Sequence, residues 1–209
     1  MAGSQGDAWR HRAPLYRLQQ PLERPALRAL ASMLDVGESE SVLDIATGTG
    51  ALLRQLARAH VRPRSVVGVD RSSAMLARVP KLPPGWGLAL QDAAALPFPD
   101  DCFDVVTASY LLHLLDPAER AAVIGEVKRV LAPGGRFGSI TVAPPRRALS
   151  RMASSPLRAL AERSNGAMAG LRPLDPRREL EQAGLHPVSA RRVRLGYPSL
   201  CVVCERRVA

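Results

Sequence analysis

A short apolar segment that runs from Val42 into a glycine-containing turn at Gly50 constrains the fold of this chain more than any other stretch. The apolar run carries one acid, Asp44, and a helical pattern at residues 51–58 follows the turn directly. A strand, a glycine turn and a helix form the start of a βαβ unit. Glycines permit a tight turn and a close approach of a ligand, and the first N–H groups of the helix face that ligand.

The residues in and after the turn show which class of ligand-binding loop this segment belongs to. A phosphate-binding P-loop requires Gly-Lys-Ser/Thr, whereas Ala51 and Leu52 follow Gly50. A dinucleotide fingerprint requires a third glycine at the position of Leu53. The sequence Asp-Ile-Ala-Thr-Gly-Thr-Gly at 44–50 instead resembles the first motif of class I S-adenosylmethionine-dependent methyltransferases. In that family the turn lies under the methionine end of the cofactor.

A second acid follows a second buried strand. Residues 65–70 read Ser-Val-Val-Gly-Val-Asp, which is typical of a strand buried on both faces, and Asp70 lies 20 residues after Gly50. That spacing puts a carboxylate at the tip of the strand beside the first, where it can accept hydrogen bonds from both ribose hydroxyls. The alternative role is an N-cap of the next helix, for which Ser72 and Ser73 are also available.

A third acid, Asp92, follows the strand predicted at residues 86–90. Its carboxylate can accept the adenine amino group, and the N–H of Ala93 can donate to a ring nitrogen. Many methyltransferases of the resembled family carry this Asp-Ala pair; the alternative is a surface turn. The resemblance implies an S-adenosyl-L-methionine site, with S-adenosyl-L-homocysteine as product, formed by Asp44, Ala46, Thr47, Gly48, Thr49, Gly50, Asp70, Arg71, Met75, Asp92, Ala93 and Ser109.

Two further sequence motifs add to the resemblance to this methyltransferase family. Leu-Pro-Phe-Pro-Asp-x-x-Phe-Asp at 96–104 is similar to the subgroup that includes quinone-biosynthesis C-methyltransferases and many small-molecule enzymes. Asp104 is expected to anchor backbone at the start of the fourth strand. A helix capped by Asp116 and Glu119 should end at Ala132-Pro133-Gly134-Gly135, before a fifth strand at 136–142.

The segment after the fourth strand, Ser-Tyr-Leu-Leu-His, is where the resemblance places the methyl acceptor. His113 is a candidate general base because imidazole titrates near neutrality, and the alternative is a buried structural histidine. Tyr110 and Tyr16 are the other candidate catalytic residues. The segment is mostly apolar, whereas quinone methyltransferases carry a longer polar signature, so a small natural product or a lipid headgroup fits as well as a quinone.

The N-terminal 35 residues are predicted to form a helical segment ahead of a methyltransferase domain at 36–209. Apolar residues recur at helical spacing from 15 to 34, and Pro21 and Pro25 should divide them into a short piece and a helix at about 24–34. The first piece either covers an edge of the sheet or forms a lid that directs Tyr16 at the cofactor. Membrane contact through this basic amphipathic segment is a further alternative.

The chain has a net charge of +10, almost entirely from arginine, since Lys81 and Lys128 are its only lysines. This charge reflects either composition alone or a negatively charged partner such as an anionic lipid surface. No nucleic-acid partner is expected, because no RNA-binding motif or basic–aromatic interleaving is present. The three cysteines and isolated histidines predict no metal site, and the absence of a signal pattern predicts a cytoplasmic protein, possibly peripheral to the membrane.

The order of elements predicts an α/β fold. It is a Rossmann-like, doubly wound, mostly parallel seven-stranded sheet in three α/β/α layers, closed by an antiparallel hairpin at about 187–195 and 199–207. The resemblance implies methyl transfer to an O, N or C nucleophile of a small-molecule or lipid-like acceptor. Alternatives are a phosphatidylethanolamine-type N-methyltransferase and a catalytically silent cofactor-binding regulator. The missing third glycine and the absence of Tyr-x-x-x-Lys argue against a reductase. The oligomeric state stays open.

Overall fold

A seven-stranded sheet lies at the centre of the part of the chain that the computed structural model describes, residues 20–145 and 172–208. The strands are β1 (Ser41–Ile45), β2 (Ser65–Asp70), β3 (Trp86–Leu90), β4 (Phe103–Ser109), β5 (Leu131–Val142), β6 (Leu185–Val193) and β7 (Ser199–Arg206). Their order across the sheet is β3-β2-β1-β4-β5-β7-β6. The first five strands are parallel, and β7 pairs antiparallel with both β5 and β6. The predicted fold and its closing hairpin are confirmed.

This strand order creates a reversal point in the middle of the sheet. The strand β1 lies between β2 and β4. The chain adds β2 and β3 on one side of β1, and then crosses back to add β4 and β5 on the other side. In open α/β sheets, ligands bind outside the carboxyl ends of the strands at such a point. The glycine turn after β1 and the segment after β4 both lie at that edge.

Helices cover both faces of the sheet. They are α1 (residues 20–34 of the described chain), α2 (Ala51–Ala57), α3 (Ser73–Leu76), α4 (Pro117–Val130) and α5 (Arg177–Gln182), with a 3₁₀ turn at Leu112–Leu114. Buried residues of α1 and α2 pack on one face, and those of α4 and α5 pack on the other. Adjacent strand residues such as Val42 and Leu43 therefore enter different cores. Cys201 and Cys204 on β7 also face opposite sides, as predicted.

The predicted break in α1 is wrong. Residues 20–34 form one uninterrupted helix that includes Pro21 and Pro25. An interior proline costs about 3 kcal/mol because it removes one hydrogen bond and crowds the preceding turn. Leu30 and Leu34 are almost fully buried, and each contributes roughly 1.5–3 kcal/mol by burial. Packing against the sheet thus outweighs the proline penalty.

The junction between α4 and β5 also differs from the prediction. The capping box at the start of α4 is present, since the Asp116 carboxylate accepts from Glu119 N at 2.8 Å and the Glu119 carboxylate accepts from Asp116 N at 3.1 Å. However, β5 begins at Leu131 instead of 136. Leu131 is buried opposite Phe103, and the pairing then shifts. Residues 132–135, which include Pro-Gly-Gly, stand opposite Asp104 alone and form an irregularity within the strand, which sequence periodicity does not reveal.

Asp104 anchors backbone as predicted. Its Oδ2 accepts from both the main-chain N and the Oγ of Ser41, each at 2.8 Å, and so joins the starts of β4 and β1. Burial raises the pKa of Asp104, but the two Ser41 bonds and nearby Arg64 and Arg136 reverse this and leave it below its ordinary value.

Across residues 20–145 and 172–208, no helix is both long and apolar enough to cross a membrane.

Candidate functional site

The glycine turn is held in left-handed backbone conformations. Gly48 has φ 56° and Gly50 has φ 72°, and a Cβ added to Gly50 would lie 2.8 Å from Val79 Cγ1. Gly50 is therefore required both by its backbone and by its packing. Ala46 has φ 54°, a conformation that costs an L-residue roughly 1–2 kcal/mol. Such strain commonly lies at functional sites, and here it falls beside the reversal point of the sheet.

Asp44 is a buried carboxylate beneath this turn. Its side chain accepts a hydrogen bond from Thr107 Oγ1 on β4 at 2.8 Å, and the residue is only 2% exposed. Burial raises the pKa of Asp44 to about 6 against the opposing effects of the Thr47 and Thr107 side chains, and the charge of Asp70 contributes a smaller increase. A cationic ligand group at the turn would favour the ionised form, because an opposite charge offsets the cost of burial. The ammonium of an amino-acid moiety is such a group.

Asp70 joins the tip of β2 to the glycine turn. Its Oδ2 accepts from Gly48 N at 2.8 Å, and its Oδ1 accepts from Ser72 N at 2.9 Å. Each carboxylate oxygen has a second lone pair, so both remain able to accept a hydroxyl from a ribose. Burial raises the pKa of Asp70, while the two backbone bonds oppose that increase. Both proposed roles of this acid are thus compatible: it shapes the backbone and can still bind a ligand.

Two buried hydroxyls at the carboxyl-end edge of the sheet indicate that a polar ligand fits there. Ser72 Oγ and Ser109 Oγ are buried, and neither has a hydrogen-bond partner among the described residues. Buried polar atoms in folded proteins are nearly always bonded. A polyhydroxylated, zwitterionic ligand such as S-adenosylmethionine offers the partners that these hydroxyls require. Met75 is buried with its Cε 3.4 Å from a Cβ built on Gly48, whereas Arg71 is exposed.

Asp92 lies just beyond β3, next to β2 in the sheet. It is exposed, and its Oδ1 accepts from Ala94 N at 2.9 Å in a turn. Ala93 is half-buried against the core. The turn orients the Asp92 carboxylate, which keeps further lone pairs free to accept hydrogen bonds. The role of Asp92 in binding adenine stays a prediction. Thr107 contacts Asp44 and Gly48 contacts Asp70 directly, whereas the turn of Asp92 is joined to Asp70 through the main chain, by the bond from Gln91 N to Asp70 O at 3.0 Å.

Tyr110 and His113 follow β4. Tyr110 has φ 58°, unusual for an aromatic residue, and its Oη lies 2.8 Å from Ser199 Oγ on β7. Since Ser199 Oγ donates to Tyr197 O at 2.7 Å, the phenol is the donor to Ser199. His113 is 4% exposed, and its ring meets the Tyr110 ring edge-on with centroids 6.2 Å apart. Tyr16, the third predicted catalytic residue, lies outside the described residues.

The protonation of Tyr110 limits what it can do. Burial is the main cause that raises its pKa, and the charge of Glu23 raises it further. The phenol is therefore neutral under physiological conditions and can donate a hydrogen bond but cannot abstract a proton.

Sequence analysis missed Glu23 and Ser199. Glu23 is 6% exposed on α1, and its charge also raises the pKa of Tyr197, after the larger effect of burial. The available signal was its position: Glu23 precedes buried Ala26, Leu27 and Leu30 at helical spacing, so it had to lie on the buried face. Ser199 carried no signal, because its partner is 89 residues away.

The sheet order, the glycine turn and the acids at the tips of β2 and β3 match the arrangement that the resemblance to class I S-adenosylmethionine-dependent methyltransferases implies. Comparison with protein families agrees: residues 42–135 match the family described as "Methyltransferase domain". The matched segment runs from β1 through β4 and α4 and ends at residue 135, within the first part of β5. The resemblance stated from the sequence is thereby confirmed.

Relatives and solved structures are consistent with this class. The chain is 43% identical over 106 residues to the ubiquinone/menaquinone biosynthesis C-methyltransferase of Desulfotalea psychrophila, a match that covers 50% of this chain and 42% of that protein. The chain thus spans less than half the length of that relative. A Haloferax volcanii protein solved in complex with a methyltransferase activator has a TM-score of 0.74 at 19% identity, covering 97% and 96% of the two chains.

A further structure shows the same fold with ligands. It is the 1,6-didemethyltoxoflavin-N1-methyltransferase of Burkholderia thailandensis with bound 1,6-didemethyltoxoflavin and S-adenosylhomocysteine. Its TM-score is 0.67 at 17% identity, and the match covers 95% of this chain and 84% of that one.

Proposed function

We propose that this chain is an S-adenosylmethionine-dependent methyltransferase that methylates an O, N or C nucleophile of a small-molecule acceptor. The observation that carries the proposal is the contact between Gly48 N and Asp70 Oδ2, at 2.8 Å. It joins the glycine turn to the acid at the tip of the neighbouring strand, so that one ligand can bind to both. The matching family and the named relatives support the same activity.

The roles of the residues follow from their positions. Asp44, Thr47, Gly48, Thr49 and Gly50 would hold the methionine end, and Asp70 would hold the ribose. Asp92 and Ala93 would hold the adenine. When bound, the cofactor supplies a methyl group already activated by a positively charged sulfur. The chain therefore has mainly to align the acceptor and exclude water.

The acceptor would lie beyond β4, next to Ser109, Tyr110 and His113. Tyr110 stays protonated there and donates its single O–H to Ser199, so its hydroxyl oxygen can orient an acceptor O–H or N–H group by accepting a hydrogen bond. Removal of a proton, where the acceptor requires it, would fall to His113, which is buried beside the Tyr110 ring.

A quinone-type aromatic acceptor is the first candidate to test. The sequence relatives are named for ubiquinone, menaquinone or demethylmenaquinone methylation, and they match at 36–43% identity over about half of this chain. A phospholipid headgroup and other small aromatic acceptors are the competing candidates. Any of these acceptors would lie next to the mostly apolar segment 110–113.

An acceptor screen tests the activity. The protein would be incubated with S-adenosylmethionine and, separately, with a demethylmenaquinone analogue, phosphatidylethanolamine vesicles and small phenols or amines. Release of S-adenosylhomocysteine and a methylated product by mass spectrometry is the expected result for at least one acceptor. Tight binding of S-adenosylhomocysteine without turnover of any acceptor would favour the silent regulator instead. Absence of S-adenosylhomocysteine binding, with binding of NADH, would exclude both.

A further inference from the structure

Four arginines line a small pocket between α1 and α2, on the face of the sheet covered by those helices. Arg24 and Arg28 are four residues apart on α1, and Arg54 and Arg58 are four residues apart at the end of α2. The side chains of Gln20 and Gln55 complete the polar lining. Among the described residues, none of those lining this pocket is acidic.

Such an arrangement is unfavourable without a negative partner. Like charges four residues apart destabilise a helix by about 0.2–0.5 kcal/mol. Two such pairs, one from α1 and one from α2, line this pocket together. Arg24, Arg28 and Arg58 are exposed and form no ion pair within residues 20–145 and 172–208. Elsewhere in that part of the chain, Arg120, Arg129 and Arg136 each pair with a carboxylate.

Arg54 gives the pocket a fixed wall. Its Nη1 donates to Thr49 O at 2.5 Å, and its Nη2 donates to Gln20 Oε1 at 3.2 Å. Gln20 Nε2 in turn donates to Thr49 Oγ1 at 2.7 Å. The guanidinium is thus held between α1 and the back of the glycine turn. A positioned guanidinium loses less side-chain entropy when it binds an oxyanion.

The size of the pocket restricts the ligand. It encloses about 100 Å³, far below the roughly 300–1,000 Å³ of sites for drug-sized molecules. Guanidinium groups bind phosphate oxygens in bidentate, charge-assisted pairs. A compact, multiply charged oxyanion matches both the volume and the four donors.

We propose that Arg24, Arg28, Arg54 and Arg58 form a binding site for a phosphate or pyrophosphate group, separate from the cofactor crevice. The group is either a free anion or the phosphorylated end of a larger molecule that extends into solvent. Nothing in this site requires methyl transfer, although Arg54 and Gln20 link it to the glycine turn through their bonds to Thr49.

Isothermal titration with inorganic pyrophosphate at constant ionic strength tests the site directly. We expect saturable binding of one pyrophosphate per chain, with weaker binding of phosphate. Replacing Arg28 and Arg58 together by glutamine should reduce the affinity at least about tenfold, since each replacement removes a charged donor. Replacing both by lysine keeps the charge but removes the bidentate geometry, so we expect an intermediate loss.

A matched control carries the same change in charge. Arg191 and Arg194 are exposed at the far end of the sheet, on and after β6, and their joint replacement by glutamine should leave pyrophosphate affinity within about twofold. Circular dichroism melting would verify that all variants fold. Failure of the wild-type protein to bind pyrophosphate saturably, or an equal loss in the control, would overturn the proposal.

Vesicle flotation identifies the source of the phosphate group. Flotation with phosphatidic acid vesicles that is lost in the Arg28/Arg58 variant assigns the site to a lipid headgroup. Pyrophosphate binding without flotation assigns it to a soluble ligand. If the Arg191/Arg194 control reduces flotation as much as the Arg28/Arg58 variant does, and the wild-type protein does not bind pyrophosphate, the proposed site is contradicted. Because these measurements use no S-adenosylmethionine, their result is independent of the proposed methyl transfer.

Discussion

Gly48 and Asp70 are joined by a hydrogen bond of 2.8 Å from the main-chain N of the glycine to Oδ2 of the acid. The bond crosses from the turn after β1 to the tip of β2, which are neighbouring parallel strands. A second bond, from Ser72 N to Oδ1, holds the same carboxylate from the other side. The acid is therefore positioned by the backbone before any ligand binds, which reduces the entropy lost on binding.

The two glycines of the turn should differ in their sensitivity to substitution. Both positions are left-handed, but Gly50→Ala puts a Cβ 2.8 Å from Val79 Cγ1, whereas the Cβ of Gly48→Ala would lie 3.4 Å from Met75 Cε and 4.0 Å from Ala46 O. We expect a loss of about 2–4 kcal/mol of unfolding free energy for Gly50→Ala and about 1 kcal/mol for Gly48→Ala. Urea unfolding measures both.

Val79→Ala provides the control for the Gly50 prediction. It removes both methyl groups that crowd the new Cβ, at 2.8 and 3.3 Å, so it should recover part of the stability lost in Gly50→Ala. An equal loss for the two glycine variants, or no recovery with Val79→Ala, would show that packing behind the turn is unimportant.

Asp44 should make stability depend on pH. Its pKa of about 6 lies above the ordinary 3.8, so between those values the folded protein binds more protons than the unfolded chain. Stability is then lost as the pH rises from about 4 to about 6. The difference corresponds to on the order of 3 kcal/mol at neutral pH. Asp44→Asn should therefore raise the free energy of unfolding at pH 8 and have a much smaller effect at pH 4.5.

The same substitution should weaken cofactor binding, because it removes the negative charge beneath the turn. Urea unfolding at the two pH values measures stability, and titration with S-adenosylhomocysteine at pH 8 measures affinity. Glu38→Gln removes one exposed negative charge and serves as the control. Equal effects of Asp44→Asn on stability at pH 4.5 and pH 8 would contradict this account of the buried carboxylate.

The Tyr110 hydroxyl is expected to stabilise the link between β4 and β7. Tyr110→Phe and Ser199→Ala each remove one side of the 2.8 Å hydrogen bond between them. A double-mutant cycle on the free energy of unfolding should give a coupling of about 1 kcal/mol, the usual size for such a bond. A coupling near zero would show that the phenol is bonded elsewhere in solution.

The parts of the fold that depend on local spacing could be predicted from the sequence. The acid at position 70 was placed at a strand tip by its distance from Gly50, and the Asp116–Glu119 capping box was read from a four-residue pattern. Local rules suffice in these cases because the interacting groups are close in sequence or lie at the ends of predicted elements.

The features that sequence analysis missed depend on distant contacts. Pro25 stays helical because α1 packs against β5, where a Cβ at Gly138 would lie 2.9 Å from Leu34 Cδ1. The arginine pocket forms only because α1 and α2 lie side by side, although Arg24 and Arg58 are 34 residues apart in sequence. Such juxtapositions are set by the tertiary fold, which overrides local propensity.

The most direct test of the central claim is the affinity of the Asp70→Asn variant for S-adenosylhomocysteine, measured by isothermal titration beside the wild-type protein and Glu38→Gln. Asp70 accepts from Gly48 N and Ser72 N with two different oxygens, and asparagine has only one oxygen, so its NH₂ group would face one of these donors. The variant also lacks the charge that strengthens hydrogen bonds to ribose hydroxyls. The account predicts at least about a tenfold loss of affinity for Asp70→Asn in a folded protein and none for Glu38→Gln. Binding of S-adenosylhomocysteine by Asp70→Asn within about twofold of wild type would contradict it.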